Sequence, residues 1–115
     1  MHELGVVFYI ADDAKKAAKE NGVSHIHSVT LELGEVTGVV PEYLIDCWNW
    51  NAARDPMTEG CELHIEQIDA VTYCEACKSE YPTVAYGKIC PHCGSPDTYL
   101  LRGREVIVKS IEVDD

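Results

Sequence analysis

Cys74-Glu-Ala-Cys77-Lys-Ser-Glu-Tyr-Pro-Thr-Val-Ala-Tyr-Gly-Lys-Ile-Cys90-Pro-His-Cys93 contains two C-x-x-C pairs separated by twelve residues. Cysteines three positions apart can aim both sulfurs at one point from a tight turn. Two such turns face to face complete a tetrahedron around an ion, with bonds of about 2.3 Å to zinc. Tetrahedral thiolates also suit iron, but closed four-cysteine sites of this spacing are most often zinc sites. Two redox pairs would need a C-x-x-C at a helix start in a βαβ context, and none is visible. Gly94 supplies the permissive backbone such a turn needs, and Lys78 and Lys88 are placed to offset the charge of four thiolates. His92, between the second pair, reads as a bystander.

Around these pairs, residues 70–103 are dense in Cys, Gly, Pro and Tyr and poor in aliphatic side chains. Such a stretch is expected to lack a core of its own and to fold as a metal-stapled insertion. The flanking sequence has a different texture. Leu4 to Asn21 carries a helical pattern, with Leu4, Phe8, Ala11 and Ala18 near one stripe and Asp12, Lys16, Lys19 and Glu20 toward water. Asn21-Gly22 is its stop signal. From His25 to Val36 the period is two, with His27, Val29, Leu31 and Leu33 on one side of a strand. Pro41 opens a second helix reaching about Arg54, which carries Leu44, Cys47, Trp48, Trp50 and Ala52. Strands follow at 61–68 and 105–113. The expected architecture is α+β: a small, mainly antiparallel or mixed three-stranded sheet with two helices, plus an inserted four-cysteine zinc-ribbon-like module. The expected division is 1–69, completed by 104–115, against 70–103.

Composition narrows the function classes. Hydrophobic residues make up 46% of the 115, enough for a core. A net charge of -11, from nine basic and twenty acidic residues, leaves no patch for a phosphate backbone, so nucleic acid is excluded as a partner. The longest apolar run, Leu4 to Ala11, is too short to span a bilayer and has no cationic flank, so a membrane is not expected and the cytoplasm is. There, six cysteines point to metal before disulfides. Cys47 and Cys61 lack metal spacing and read as small buried residues. No Ser-His-Asp arrangement, phosphate loop or open three-ligand zinc site supports an enzyme. His25, His27 and His64 could join a second metal site, but strand histidines are more often hydrogen-bonded or solvated.

The chain start, Met1-His2-Glu3, has its own chemistry. The terminal amine, the His2 backbone nitrogen and imidazole Nδ1 can chelate one ion in fused rings, with Glu3 adding its amide nitrogen or carboxylate. Near-planar nitrogen and oxygen donors suit Ni(II) and Cu(II). Histidine is second in many proteins that bind no metal, so the motif alone does not decide.

Several stretches together point further: Met1-His2-Glu3, Leu31-Glu-Leu-Gly34-Glu35-Val-Thr-Gly38, Pro41-Glu42-x-Leu44, both C-x-x-C pairs, Cys93-Gly94-Ser95-Pro96, Gly103-Arg104-Glu105 and Lys109-Ser110-Ile111-Glu112-Val113. Through its whole length the chain resembles the HypA/HybF nickel-incorporation metallochaperones, which serve nickel–iron hydrogenase maturation and in some bacteria urease. The resemblance implies Ni(II) carried at Met1, His2 and Glu3, and structural Zn(II) at Cys74, Cys77, Cys90 and Cys93. It also implies a HypB-type GTPase and a hydrogenase large-subunit precursor as partners, and a possible homodimer. The competing expectation is a zinc-ribbon protein-interaction module without nickel transfer.

Overall fold

A computed structural model describes residues 3–114. In chain order the elements are α1 (Glu3–Glu20), β1 (His25–Gly34), α2 (Pro41–Ala52), β2 (Glu62–Ile68), β3 (Val71–Cys74), β4 (Glu80–Pro82), α3 (Thr83–Tyr86), β5 (Thr98–Arg102) and β6 (Val106–Asp114). The fold is α+β, with one three-stranded sheet in the order β2-β1-β6 and another in the order β4-β3-β5. They fall in two compact units, residues 1–32, 38–66 and 106–115 forming one and residues 33–37 with 67–105 the other. Among the described residues no helix is long and apolar enough to cross a membrane.

In the first unit, α1 ends where Gly22 takes φ +69° and the Val23 N–H reaches back to the Ala18 carbonyl at 2.9 Å, closing the last turn. Its buried face is not the expected one. Val6, Val7, Ile10, Ala11, Ala14 and Ala18 are inside, while Phe8 is 46% exposed. The buried stripe is built from small and β-branched residues because α1 packs against both α2 and β6, and a phenylalanine would hold the helix away. On α2, Leu44, Trp48 and Ala52 repeat at four-residue spacing and are buried. Trp48 donates its indole N–H to the Cys61 carbonyl at 3.0 Å, whereas Trp50 stands outside with the Arg54 guanidinium 4.7 Å above its ring. Cys61 is buried as expected; Cys47 is only half-buried.

Central β1 buries Val29, Leu31 and Leu33, but its phase shifts at the start. Ile26 and Ser28 are buried there and His27 is exposed, against the expectation that put His27 on the inner face. Ser28 is accommodated because its hydroxyl donates to Glu112 Oε1 at 3.1 Å, so no polar group is stranded.

The second unit holds more regular structure than its composition suggested. β3 pairs antiparallel with β4 (Tyr73 opposite Glu80) and with β5 (Tyr73 opposite Tyr99). A small buried cluster does exist, made of Cys74, Tyr81 and Cys90, so two of the four paired cysteines help to form its core. Residues 33–37 belong here because Gly34, Glu35 and Val36 donate backbone hydrogen bonds to Glu105, Ile68 and Gly103 at 2.7–2.9 Å. A Cβ built on Gly34 would land on the Gly103 carbonyl. Glycine is therefore required at 34 by the close passage of two backbones.

Candidate metal centre

The two C-x-x-C turns fold alike. The Cys74 N–H donates to the Ser79 carbonyl and the Lys78 N–H to the Cys74 carbonyl; sixteen residues on, Cys90 donates to Ser95 and Gly94 to Cys90, all at 2.8–3.0 Å. The fifth position of each turn must be left-handed. Gly94 meets that easily at φ +76°, and Lys78 adopts φ +64° despite its side chain. Lys78 thus serves the site through its backbone, a role invisible in its charge. Lys88 enters likewise, its carbonyl accepting from the Thr98 hydroxyl at 2.7 Å.

The four sulfurs lie within 4.8 Å of one another. Across the turns, Cys74 Sγ is 3.6 Å from Cys93 Sγ, and Cys77 Sγ is 3.6 Å from Cys90 Sγ. A tetrahedral ion with bonds of about 2.3 Å holds its ligands about 3.8 Å apart, so the sulfurs already stand at ligand spacing. Cys74 and Cys90 are buried and Cys77 and Cys93 exposed, so the site has a closed inner side and an open outer one.

Donors around the sulfurs favour thiolate. Burial pushes the Cys90 thiol up, but the backbone N–H groups of Cys93 and His92, with the thiols of Cys77 and Cys93, outweigh it and bring Cys90 down to about 6. The Ser79 hydroxyl, 2.9 Å from Cys77 Sγ, does most to lower Cys77. Cys93 moves the other way. The Ser95 backbone N–H lowers it, but burial and the three neighbouring thiols push it up to about 12. Four close sulfurs cannot all hold negative charge unaided, and a divalent cation removes that conflict. The donor set fits zinc.

Of the expected nickel donors, Met1 and His2 lie outside the described residues. Glu3 opens α1, and its carboxylate accepts the Val40 N–H at 3.2 Å, tying the start of α1 to the residue that precedes α2. Among the described residues the four-cysteine cluster includes no histidine ring, and His92 enters it through its backbone N–H, which reaches Cys90 Sγ at 3.4 Å.

The family model described as hydrogenase/urease nickel incorporation, metallochaperone, HypA matches residues 1–113. The chain belongs to the HypA family. Among similar curated proteins, the hydrogenase maturation factor HybF of Klebsiella pneumoniae is 35% identical over 112 residues, 97% of this chain and 98% of that protein. The hydrogenase maturation factor HypA of Chlorobium phaeobacteroides is 34% identical over 114 residues, 99% of this chain and all of its own. The HypA fold also recurs in the solution structure of the nickel metallochaperone HypA from Helicobacter pylori. That structure has a TM-score of 0.74 at 21% identity, covering 98% of this chain and 97% of the other.

Proposed function

We propose that this HypA-family chain is a nickel carrier that binds Ni(II) at its N-terminus and delivers it during maturation of nickel–iron hydrogenase, with urease as a further acceptor. The observation that carries the reading is the family match over residues 1–113, which includes Met1, His2 and Glu3. The Met1 amine, the His2 backbone nitrogen and imidazole Nδ1 and a Glu3 donor supply the ligands. The hydrogen bond from the Val40 N–H to the Glu3 carboxylate favours the Glu3 amide nitrogen over the carboxylate. Nitrogen donors at an open chain end let an acceptor take the ion by stepwise ligand exchange, which a fully enclosed site would resist.

In this reading the labour is divided. The part spanning 1–69 and 104–115 carries nickel, and 70–103 is a module held by structural Zn(II) at Cys74, Cys77, Cys90 and Cys93. The carrier is cytoplasmic and not an enzyme, and it works with a HypB-type GTPase and a hydrogenase large-subunit precursor, as a monomer or a homodimer. The test is His2→Ala, and separately one residue added before Met1. Each is expected to abolish the equivalent of Ni(II) held by the N-terminal amine and His2, with zinc content unchanged, and a nickel stoichiometry that neither change lowers would overturn the assignment. A second reading, an interaction module without nickel transfer, draws on the exposed Val84, Tyr86, Ile89 and Tyr99 of the second unit. It requires that untagged protein bind no nickel through its N-terminus.

A further inference from the structure

Among the described residues only the four cysteines stand at closed ligand spacing, and a looser set of metal-type donors lies in the first unit. His25 and His27 are two residues apart on β1, and strand geometry puts such residues on the same face. Asp114, on the neighbouring strand β6, reaches both: Oδ2 is 2.6 Å from His25 Nδ1 and Oδ1 is 3.7 Å from His27 Nδ1. One carboxylate therefore spans two imidazoles, and each presents its Nδ1 to it.

The other ring nitrogen of His25 is already committed. Nε2 lies 2.7 Å from the Glu59 carbonyl oxygen, which can only accept, so Nε2 carries the hydrogen. Metal-bound histidines are oriented in the same way, the free N–H going to a carbonyl or carboxylate while the second nitrogen binds the ion. A support usually found behind a ligand is present here before any ion arrives.

From this arrangement we propose that His25 Nδ1, His27 Nδ1 and Asp114 form a second, exchangeable site for a borderline divalent cation of the nickel, copper and zinc class. Bonds of about 2.1 Å place neighbouring donors about 3.0–3.4 Å apart, and the two contacts to Asp114 bracket that spacing. Closing the third side takes a rotation of the His27 ring, which is 58% exposed and can turn in solvent. Two imidazoles with one carboxylate exclude magnesium and calcium, which prefer all-oxygen shells. Without metal, Nδ1 of His25 holds a proton against Asp114; the ion takes that nitrogen's lone pair and the proton leaves to water. The Nε2–H bond to Glu59 is kept throughout.

None of the three proposed ligands is Met1, His2 or Glu3, so the site is tested in the zinc-loaded His2→Ala protein. Ni(II) is titrated by calorimetry, and the histidine ring signals are followed by NMR. The expected result is one further equivalent bound, with His25 and His27 signals broadened together. His64, paired with Glu62 on β2, serves as internal control and is expected not to respond. His27→Gln and Asp114→Asn, both at exposed positions, are expected to keep the native amide spectrum and weaken binding by about tenfold or more. The proposal is overturned if His25 and His27 ignore nickel, if His64 responds equally, or if either substitution leaves the affinity unchanged. Comparing intact and His2→Ala stoichiometry tests the N-terminal assignment separately.

Discussion

Trp48 and Trp50 are two residues apart on one helix, and truncating them is expected to cost very different amounts. Trp48 is fully buried, and its indole N–H is bonded to the carbonyl of buried Cys61. Removing a buried aromatic to alanine costs about 3–5 kcal/mol through lost burial and the cavity left behind. Leaving the Cys61 carbonyl without its donor adds about 1–3 kcal/mol. Trp48→Ala should therefore lose about 4–8 kcal/mol, which approaches the whole stability of about 5–15 kcal/mol expected of a domain. Trp48→Phe retains most of the apolar surface and should lose mainly the hydrogen-bond contribution of about 1–3 kcal/mol. Trp50 is 53% exposed, and its contact with Arg54 is worth about 0.5–1 kcal/mol at such a site. The assay is urea denaturation of the zinc-saturated protein followed by far-ultraviolet circular dichroism. The reasoning is refuted if Trp48→Ala loses less than Trp50→Ala, or if Trp48→Phe is as damaging as Trp48→Ala.

Three further outcomes follow from the same geometry. Because the buried cluster of the second unit is Cys74, Tyr81 and Cys90, stripping the ion with a chelator should abolish amide-exchange protection at Thr72, Tyr73 and Tyr81 while Leu31 and Leu44 stay protected; persistence at Tyr81 would contradict it. Burial pushes the Cys61 thiol up to about 11, so a thiol reagent at pH 8 should label half-buried Cys47 well before Cys61 in the zinc-loaded protein, as mass spectrometry of the first adduct would report. The Glu59 carbonyl and the Asp114 carboxylate raise the pKa of His25 above its usual 6.5. Its stabilising contribution is then fully present below the unfolded pKa and is lost as pH rises through the folded one. Asp114→Asn should move the NMR titration midpoint of His25 downward, and an unchanged midpoint would show that Asp114 plays no part.

The four-cysteine site was legible because a C-x-x-C turn is local: the spacing alone specifies where both sulfurs point. The helices and long strands were legible for the same reason, through periodicity. What escaped notice depends on distant neighbours. The inner face of α1 is set by how closely α2 and β6 approach, so Val7 and Ala14 are buried and the larger Phe8 is not. The order within β1 changes at Ser28, whose burial is tolerable only because Glu112, eighty-four residues away, receives its hydroxyl. The sheet of the second unit escaped because β3 and β4 have four and three residues, too few to show a period. Lys78 hid its role because a left-handed lysine leaves no mark in composition. The His25–Asp114 contact joins residues eighty-nine apart, and only the pairing of β1 with β6 brings them together.

Charge is spread unevenly between the units. The first holds fourteen acidic and five basic residues, and the second six and four. A negative field raises the local concentration of every cation, but it is screened beyond about 8 Å at physiological ionic strength and does not distinguish nickel from magnesium. Several carboxylates are already engaged: Asp55 with Lys15, Glu66 with Lys109, and Glu35 with the Ala70 N–H, at 2.8–3.0 Å. Choice of metal must then come from nitrogen and sulfur, which separate the borderline ions from the hard ones. The sulfurs are gathered in a site whose cysteines also form a core, so releasing its ion would undo the fold around it. Nitrogen donors carry no such penalty. Under the carrier reading, an ion held at the chain start, or in the proposed His25–His27 site, comes and goes while the packed interior stays as it is. Under the carrier reading, the cargo belongs on nitrogen and the structural ion on sulfur.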